Sequence, residues 1–265
     1  MIVCIHTESR CYQAAQEAIP VGIVLHSTGA NNPYLKRYVQ PSKDAADREE
    51  LLAILGKNKN GNHWNRDVAK SVHYIIGKRA DGAVDVAHIL PEEFCAWGVG
   101  KGKKGSYNYN PTAHIQIEVC EDALTDQAYF LACYREFALL CADICARHGW
   151  EADAIVSHKE AYKRGYASNH GDIDHWLKKF GYTMEDLREE VDILLHPDKI
   201  LDVGDSVEFV GTKQYTNANK LLGKKAKPCR ATVLQIHRLG ESRHPYLVKG
   251  SGVYGWVNED ALMKG

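Results

Sequence analysis

The sequence predicts a mixed α/β domain followed by a small all-β domain. Strand patterns and helix-spaced apolar runs alternate through residues 1–195, which is typical of a β-sheet flanked by helices. From residue 200 onward, only short strand patterns separated by turns remain. A chain of 265 residues with 45% hydrophobic residues is long enough to bury a core in each part. We therefore predict domains at residues 1–195 and 200–265, with the composition changing near residues 196–199.

Five segments of the first domain have strand patterns. The first is an apolar run that ends in a polar loop, and the next two alternate around a turn containing Asp81 and Gly82, which is typical of a hairpin. The fourth contains Glu118 and alternates strictly, and the fifth is a short apolar run before Ser157. The five segments are residues 22–27, 71–76, 83–89, 113–119 and 154–156.

Three segments of the first domain have apolar residues at helical spacing, and they are residues 45–55, 126–148 and 183–195. Thr125 is the expected N-cap of the longest helix, and Gly149 is expected to end it. Thr183 is the expected N-cap of the last helix. Residues 96–111 are rich in glycine, lysine, tyrosine and asparagine, so we predict a long loop there.

The second domain contains strand patterns without a helical one. Short strands at this spacing, separated by turns, predict a small all-β barrel of roughly 65 residues. The strand patterns are residues 205–210, 230–236, 246–248 and 253–257.

Composition and charge exclude several classes of protein. The formal net charge is -1 at pH 7, so nothing indicates nucleic acid as a partner. No apolar run approaches the roughly 20 residues of a membrane helix, so membrane insertion is not expected. Residues 1–8 lack the basic and apolar regions of a secretory signal, so we expect the protein to be made in the cytoplasm. The eight cysteines include no CxxC pair and are expected to be free thiols.

Two histidines lie at the ends of separate predicted strands, and a cluster of metal-binding residue types follows the second. The histidines are His26 and His158, and the cluster spans residues 168–176. Catalytic zinc takes three protein ligands and keeps one open position. Two histidines and one carboxylate therefore make a suitable zinc set, although a chain with 13 histidines also places some near strand ends by chance.

Glu118 is a candidate general base. It lies on the strictly alternating strand, where polar side chains share one face and Ile115 and Ile117 share the other. A carboxylate near zinc can take a proton from an activated water. The pattern alone favours a strand glutamate that faces solvent over a general base.

Several blocks of the chain, taken in order, resemble the type-2 N-acetylmuramoyl-L-alanine amidases, a family of phage endolysins, prophage lysins and autolysins related in fold to peptidoglycan recognition proteins. The resemblance covers about residues 1–195. The blocks are VLHSTGA at 24–30, WGVG at 97–100, GSYNYNP at 105–111, HIQIE at 114–118, SHKE at 157–160, SNHGD at 168–172 and His175-Trp176.

The resemblance implies a mixed β-sheet flanked by helices, with one Zn²⁺ in a surface groove. It implies His26 and His158 as the first two zinc ligands, and Asp172 as the third. The family's third ligand is usually followed by Pro-Gly, which this chain lacks, so the nearby His170, Asp174 and His175 are also possible third ligands. If Asp172 is the ligand, His170 takes the place of a family lysine that polarises the substrate carbonyl.

The resemblance also implies the reaction. Zinc-activated water would attack the amide between N-acetylmuramic acid and the L-alanine of the peptidoglycan stem peptide, with Glu118 as general base. Some members use a tyrosine at the place that Val72 occupies here, so the glutamate variant fits better. Trp97, Tyr107 and Asn108 are the expected substrate contacts, although a plain solvated loop would contain the same residues.

Two other functions are alternatives to the amidase interpretation of the sequence. The same fold serves non-catalytic peptidoglycan receptors, which lack a full zinc set. A cysteine peptidase would use Cys120 or Cys95, but neither opens a helix in a recognisable motif. An amidase without a signal peptide would reach the cell wall only after its release.

The second domain has a resemblance of its own. Residues 203–209 and 253–257 resemble the bacterial SH3-like modules that are appended to such lysins. Those modules bind the cell wall, so the resemblance implies a wall-binding domain at residues 200–265. The same strands would also suit a structural cap that only stabilises the enzyme.

Overall fold

A computed structural model describes residues 1–196, 201–237 and 242–264. The chain divides into two compact units, Met1–Leu195 and His196–Gly265. We call them the N-terminal unit and the C-terminal unit. The composition change predicted near residues 196–199 extends outside the described residues.

A six-stranded mixed sheet forms the centre of the N-terminal unit. Its strand order is β1-β4-β3-β5-β2-β6, in which β3 and β4 form an antiparallel hairpin and the other neighbours are parallel. The predicted mixed α/β fold is therefore confirmed. The strands are β1 (Ile2–Val3), β2 (Ile23–Ser27), β3 (Tyr74–Lys78), β4 (Val84–His88), β5 (Ile115–Val119) and β6 (Ile155–Ser157).

Six α-helices of the N-terminal unit surround this sheet. The longest helix begins after Asp126, whose side chain accepts a hydrogen bond from the backbone amide of Tyr129, and it ends at Gly149 with a φ of 68°. The helices are α1 (Arg10–Ala14), α2 (Arg48–Leu55), α3 (Gln127–His148), α4 (His158–Arg164), α5 (Asp174–Lys179) and α6 (Met184–Leu195).

The sheet is buried on both faces, and the two faces differ in character. On one face, Ile23 and Leu25 of β2 pack with Ile115 and Ile117 of β5 against α3. On the other face, the same strands carry Val24, His26, Gln116 and Glu118, because successive strand residues point to opposite sides. This second face brings polar groups into the interior.

Each helix and strand predicted for the N-terminal unit is present in the structure as the predicted type of element. The corrections concern one helix cap and the first residues of two elements. Thr125 is not the N-cap of α3; the cap is Asp126, one residue later. The helix predicted from residue 45 begins at Arg48, and the strand predicted from residue 71 begins at Tyr74. Thr183 does accept a hydrogen bond from the backbone amide of Asp186, as an N-cap does. The sequence did not predict β1, α1, α4 or α5.

The C-terminal unit is built from β-strands. A five-stranded antiparallel sheet has the order β12-β11-β10-β7-β13, and β8 and β9 form a separate hairpin. Its core contains Val207, Phe209, Val233 and Val248. The strands are β7 (Ser206–Phe209), β8 (Lys213–Gln214), β9 (Lys224–Lys225), β10 (Cys229–Ile236), β11 (Tyr246–Gly250), β12 (Tyr254–Val257) and β13 (Leu262–Lys264). The predicted all-β character is confirmed, and the SH3-like likeness stays a prediction.

Among the described residues, no helix combines the length and the apolar character needed to cross a membrane.

Candidate metal centre

The sheet register places His26 beside Glu118. His26 lies on β2 and Glu118 on β5, and the two are direct partners across the parallel ladder. Paired residues of neighbouring strands point to the same face, so both side chains lie on the face opposite α3. Both are buried, with 2% and 9% of the residue surface exposed. Glu118 therefore does not face solvent.

His158 is held in place by the start of α4. Ser157 and Glu160 form a capping box, in which the Ser157 side chain accepts from the Glu160 amide and the Glu160 side chain accepts from the Ser157 amide. His158 is the first residue of this helix, directly after β6, and it is 3% exposed. The strand end and the helix start together fix its position next to β2.

Asp172 reaches the two histidines from the loop before α5. The backbone amide of Lys159 donates to its carbonyl oxygen over 3.2 Å, which ties this loop to α4. The following residue, Ile173, is buried in the main core. The burial of Ile173 and the hydrogen bond from Lys159 of α4 together restrict the position of the Asp172 carboxylate.

Three ligand atoms converge at one point. The His26 and His158 Nδ1 atoms are 3.0 Å apart, and Asp172 Oδ2 lies 3.3 Å from the first and 3.4 Å from the second. Tetrahedral ligands about 2.0–2.1 Å from zinc lie roughly 3.3 Å from one another. The three atoms therefore have the spacing of three corners of a zinc tetrahedron, and this group of residues fits that metal.

The protonation states also suit a metal. Burial is the largest effect on His26 and lowers its pKa, which favours the neutral imidazole that binds metal. Burial by itself would raise the pKa of Asp172, but hydrogen bonds with His158 and His26 outweigh it and hold the pKa well below its usual range. The group thus offers two nitrogen donors and an ionised carboxylate.

Glu118 has the opposite electrostatic environment. Burial raises its pKa well above the usual value, and the nearby carboxylates of Asp172 and Glu121 raise it further. The ammonium of Lys70 opposes this effect. A divalent cation bound at His26, His158 and Asp172 would offset the repulsion between these carboxylates and favour the ionised form of Glu118.

His170 lies at the exposed edge of the centre. Its side chain is 62% exposed, and its Nδ1 is 3.8 Å from Asp172 Oδ1. Its ring stacks on the ring of His158 with the centroids 4.9 Å apart. His170 is therefore close to the three converging atoms without being one of them. Asp174 and His175, which the sequence also offered as third ligands, lie outside that group as well.

A cavity of about 880 Å³ is lined by residues of the 97–112 loop together with Ala69 and Tyr166. Gly100 lines it, and a side chain added at Gly100 would come within 2.8 Å of the Ser168 hydroxyl. The same hydroxyl donates to the Val99 carbonyl and lies 3.4 Å from His158 Nε2. Ser168, which the sequence did not single out, therefore connects one wall of the cavity to a candidate metal ligand.

The three predicted substrate contacts differ in position. Trp97 and Asn108 line the cavity. The side-chain oxygen Oδ1 of Asn108 also accepts hydrogen bonds from the Val99 backbone amide and the Gln116 side chain, so Asn108 holds the loop in place. Tyr107 is only 6% exposed, and its ring stacks between His114 and Tyr166 at centroid distances of 3.8 and 4.9 Å.

Glu121 and His175 form a contact that the sequence did not predict. The Glu121 carboxylate is 5% exposed and lies 3.0 Å from His175 Nε2. The Glu121 amide donates to the Thr28 hydroxyl. The pair joins the end of β5 to the start of α5, close to Asp172. Glu121 follows the alternating strand in the sequence, and no local pattern distinguishes it from a surface residue.

The thiols that a cysteine peptidase would use are buried. Cys95 and Cys120 are 1% and 0% exposed, and burial raises the pKa of both. A nucleophilic cysteine needs a lowered pKa and access to substrate. The structure therefore offers no support for a cysteine peptidase. All eight cysteines are free thiols.

Comparison with protein families identifies the class of protein. The N-acetylmuramoyl-L-alanine amidase family, Amidase_2, matches residues 15–172, which include all three converging residues and Glu118. The chain belongs to this family. None of the curated proteins matches the chain.

Several solved structures are similar to the chain at low identity. The Staphylococcus aureus hydrolase AmiA, solved with its ligand, is 18% identical, with 68% of this chain and 74% of that one covered and a TM-score of 0.44. A mutant endolysin from Bacillus subtilis is 19% identical, with 72% and 99% covered and a TM-score of 0.41. The PlyG catalytic domain is 13% identical, with 74% and 96% covered and a TM-score of 0.45.

Proposed function

We propose that this member of the amidase family is a zinc-dependent peptidoglycan hydrolase that cleaves the amide bond between N-acetylmuramic acid and L-alanine. The observation that supports it most is the convergence of His26, His158 and Asp172 at zinc-ligand spacing. The substrate would be the muramoyl-peptide of bacterial cell wall. Zn²⁺ held by these three residues would supply a Lewis acid that acidifies the attacking water and polarises the amide carbonyl.

Glu118 is proposed as the general base. It would take a proton from the attacking water and return it to the nitrogen of the leaving alanine. Glu118 lies next to His26 across the ladder, so it is close to the proposed zinc site. Because its side chain is buried, it is shielded from bulk water. A base must be ionised to act, and a cation at the three ligands would lower the raised pKa of Glu118 toward the working range.

His170 is proposed as a hydrogen-bond donor to the carbonyl oxygen. Its ring is exposed, so it can face bound substrate, and the stack on His158 holds it next to the ligands. A donor aimed at an oxygen that becomes negative stabilises the transition state more than the bound substrate. The cavity lined by Trp97 and Asn108 is the proposed place for the remainder of the substrate.

We propose different roles for the two units. Residues 1–195 would carry the hydrolysis, and the SH3-like domain at residues 200–265 would bind the wall. Binding to the wall raises the effective concentration of the catalytic unit at its substrate without adding any contact to the active centre.

Removing the metal tests this function. We expect a soluble muramoyl-peptide to be hydrolysed by the zinc-loaded protein, to remain intact after chelation, and to be hydrolysed again when Zn²⁺ is restored. Release of the free alanine amine measures turnover. If the zinc-loaded protein binds the substrate without releasing any amine, a non-catalytic peptidoglycan receptor replaces the amidase as the function.

Variants of Asp172 and His170 separate a ligand from an oxyanion donor. Asp172→Ala removes one of three zinc bonds, so it should lose zinc to a mild chelator faster than the wild type does. His170→Ala should keep its zinc and turn over more slowly, by roughly 10-fold to 10³-fold, because its donor acts mainly in the transition state. Zinc release and turnover are measured on the same samples. A zinc-free His170→Ala protein beside a zinc-loaded Asp172→Ala protein would show that His170 is the ligand.

A further inference from the structure

The hairpin of β8 and β9 in the C-terminal unit carries an unusual combination of exposed side chains. We call residues 213–225 the leucine–lysine hairpin. Leu221 and Leu222 lie in its connecting segment and are 74% and 84% exposed. Lys220 precedes them, and Lys224 follows after one glycine. Two neighbouring leucines at this exposure leave apolar surface in water, and a contiguous exposed apolar patch is typical of an interaction site.

The backbone on both sides of the leucines is anchored. Before them, the ring of buried His244 donates from Nε2 to the Lys220 carbonyl over 2.9 Å, and its backbone amide donates to the Ala218 carbonyl. Tyr215 stacks on the same ring with the centroids 3.4 Å apart. After them, Lys224 pairs with Gln214 across the hairpin. The fold thus holds the leucines out in solvent by fixed contacts on either side.

Two of the hairpin lysines lie directly opposite each other. Lys213 and Lys225 are direct partners across the ladder, and like charges in that arrangement destabilise a hairpin. In the part of the chain that the structure describes, no carboxylate forms an ion pair with Lys213, Lys220, Lys224 or Lys225. An external anion would remove this repulsion.

The C-terminal unit as a whole has an excess of positively charged residues, like its hairpin. Residues 201–265 contain ten lysines and arginines against six aspartates and glutamates, whereas residues 1–195 contain 22 against 27. Positive charge is therefore concentrated in the unit that carries the exposed leucines. Apolar side chains flanked by lysines match the boundary of an anionic lipid bilayer, where headgroups attract the ammonium groups and the leucines leave water.

We propose that the leucine–lysine hairpin docks the protein on an anionic phospholipid surface, with Leu221 and Leu222 entering the headgroup region. This is peripheral binding by a hairpin tip and needs no membrane-spanning segment. It is independent of the hydrolytic centre, and it gives the C-terminal unit a ligand other than the wall. Docking of this kind would hold the protein at the face of the wall next to the membrane.

Co-sedimentation of the full-length protein with lipid vesicles tests the proposal. We expect binding to vesicles of phosphatidylglycerol and phosphatidylcholine in equal parts, weaker binding in high salt, and little binding to phosphatidylcholine alone. The double variant Leu221→Ser/Leu222→Ser should bind at least roughly tenfold more weakly, because both side chains lose apolar area. The triple variant Lys213→Gln/Lys224→Gln/Lys225→Gln should show a similar loss.

Matched controls keep the result interpretable. Ile19→Ser/Val203→Ser changes two other exposed apolar residues, and Lys43→Gln/Lys57→Gln/Lys59→Gln removes the same charge from the N-terminal unit. Both should bind vesicles like the wild type. The lysine variant of the hairpin should unfold at the same temperature as the wild type or higher, because it removes a like-charge pair. The muramoyl-peptide assay is run on the same samples, so loss of docking and loss of hydrolysis are distinguished.

Three results would overturn the proposal. The first is equal binding of the wild type to neutral and anionic vesicles. The second is unchanged binding in both hairpin variants. The third is a wild type that does not bind vesicles but self-associates in a way that Leu221→Ser/Leu222→Ser abolishes, which would make the hairpin an interface between two copies of this chain.

Discussion

Glu118→Gln is expected to lower the turnover of a soluble muramoyl-peptide by roughly 10²-fold or more, while the zinc content stays at the wild-type level. Glutamine has nearly the same shape as glutamate but cannot accept the proton of the attacking water. Glu118 lies beside His26 without being one of the three converging residues, so the metal should remain. Amine release and metal content are measured on the same preparation.

The stability of this variant separates chemistry from misfolding. Burial and two neighbouring carboxylates raise the pKa of Glu118, so its ionised form is costly in the metal-free protein. Removing that carboxylate should leave the unfolding temperature of the metal-free protein unchanged or raise it. Glu93→Gln makes the same chemical change at an exposed site and should behave like the wild type. Near-normal turnover of Glu118→Gln would assign the base to another residue.

His26→Ala and His158→Ala are each expected to abolish stoichiometric zinc binding, and turnover should fall to background with it. Each change leaves two of the three ligands, and a two-ligand set does not complete a protein zinc site. The zinc content after dialysis is the direct measurement. His237→Ala removes a half-buried histidine in the C-terminal unit and should leave the zinc content unchanged. If both ligand variants keep one zinc per chain, the centre lies elsewhere.

Much of the fold follows from local sequence patterns. The alternation of residues 113–119 and the apolar run of residues 22–27 predicted the two central strands, and their side-by-side pairing placed His26 next to Glu118. The hairpin of β3 and β4 followed from its turn residues. An apolar run, an alternation with a period of two and a turn sequence are each properties of a few consecutive residues.

Other features depend on contacts between distant parts of the chain. The alternation of β5 indicated a polar face but not its burial, because the groups around Glu118 include Asp172 and Lys70, which are distant in the sequence. The sequence predicted Tyr107 as a substrate contact on a loop and did not indicate that its ring stacks between His114 and Tyr166. The contact of Glu121 with His175 joins residues far apart in the chain. The helix α4 was missed because it has only seven residues, too few for a helical period to show.

The bond that the protein cuts is the most direct test of the account. Purified peptidoglycan would be digested with the full-length, zinc-loaded protein, and the soluble products would be analysed by mass spectrometry. We predict intact stem peptides with a free N-terminal alanine, and glycan chains without new reducing ends. New reducing ends on sugars that still carry their peptides, or stems cut between two amino acids while alanine stays attached to the sugar, would contradict the proposed amidase reaction.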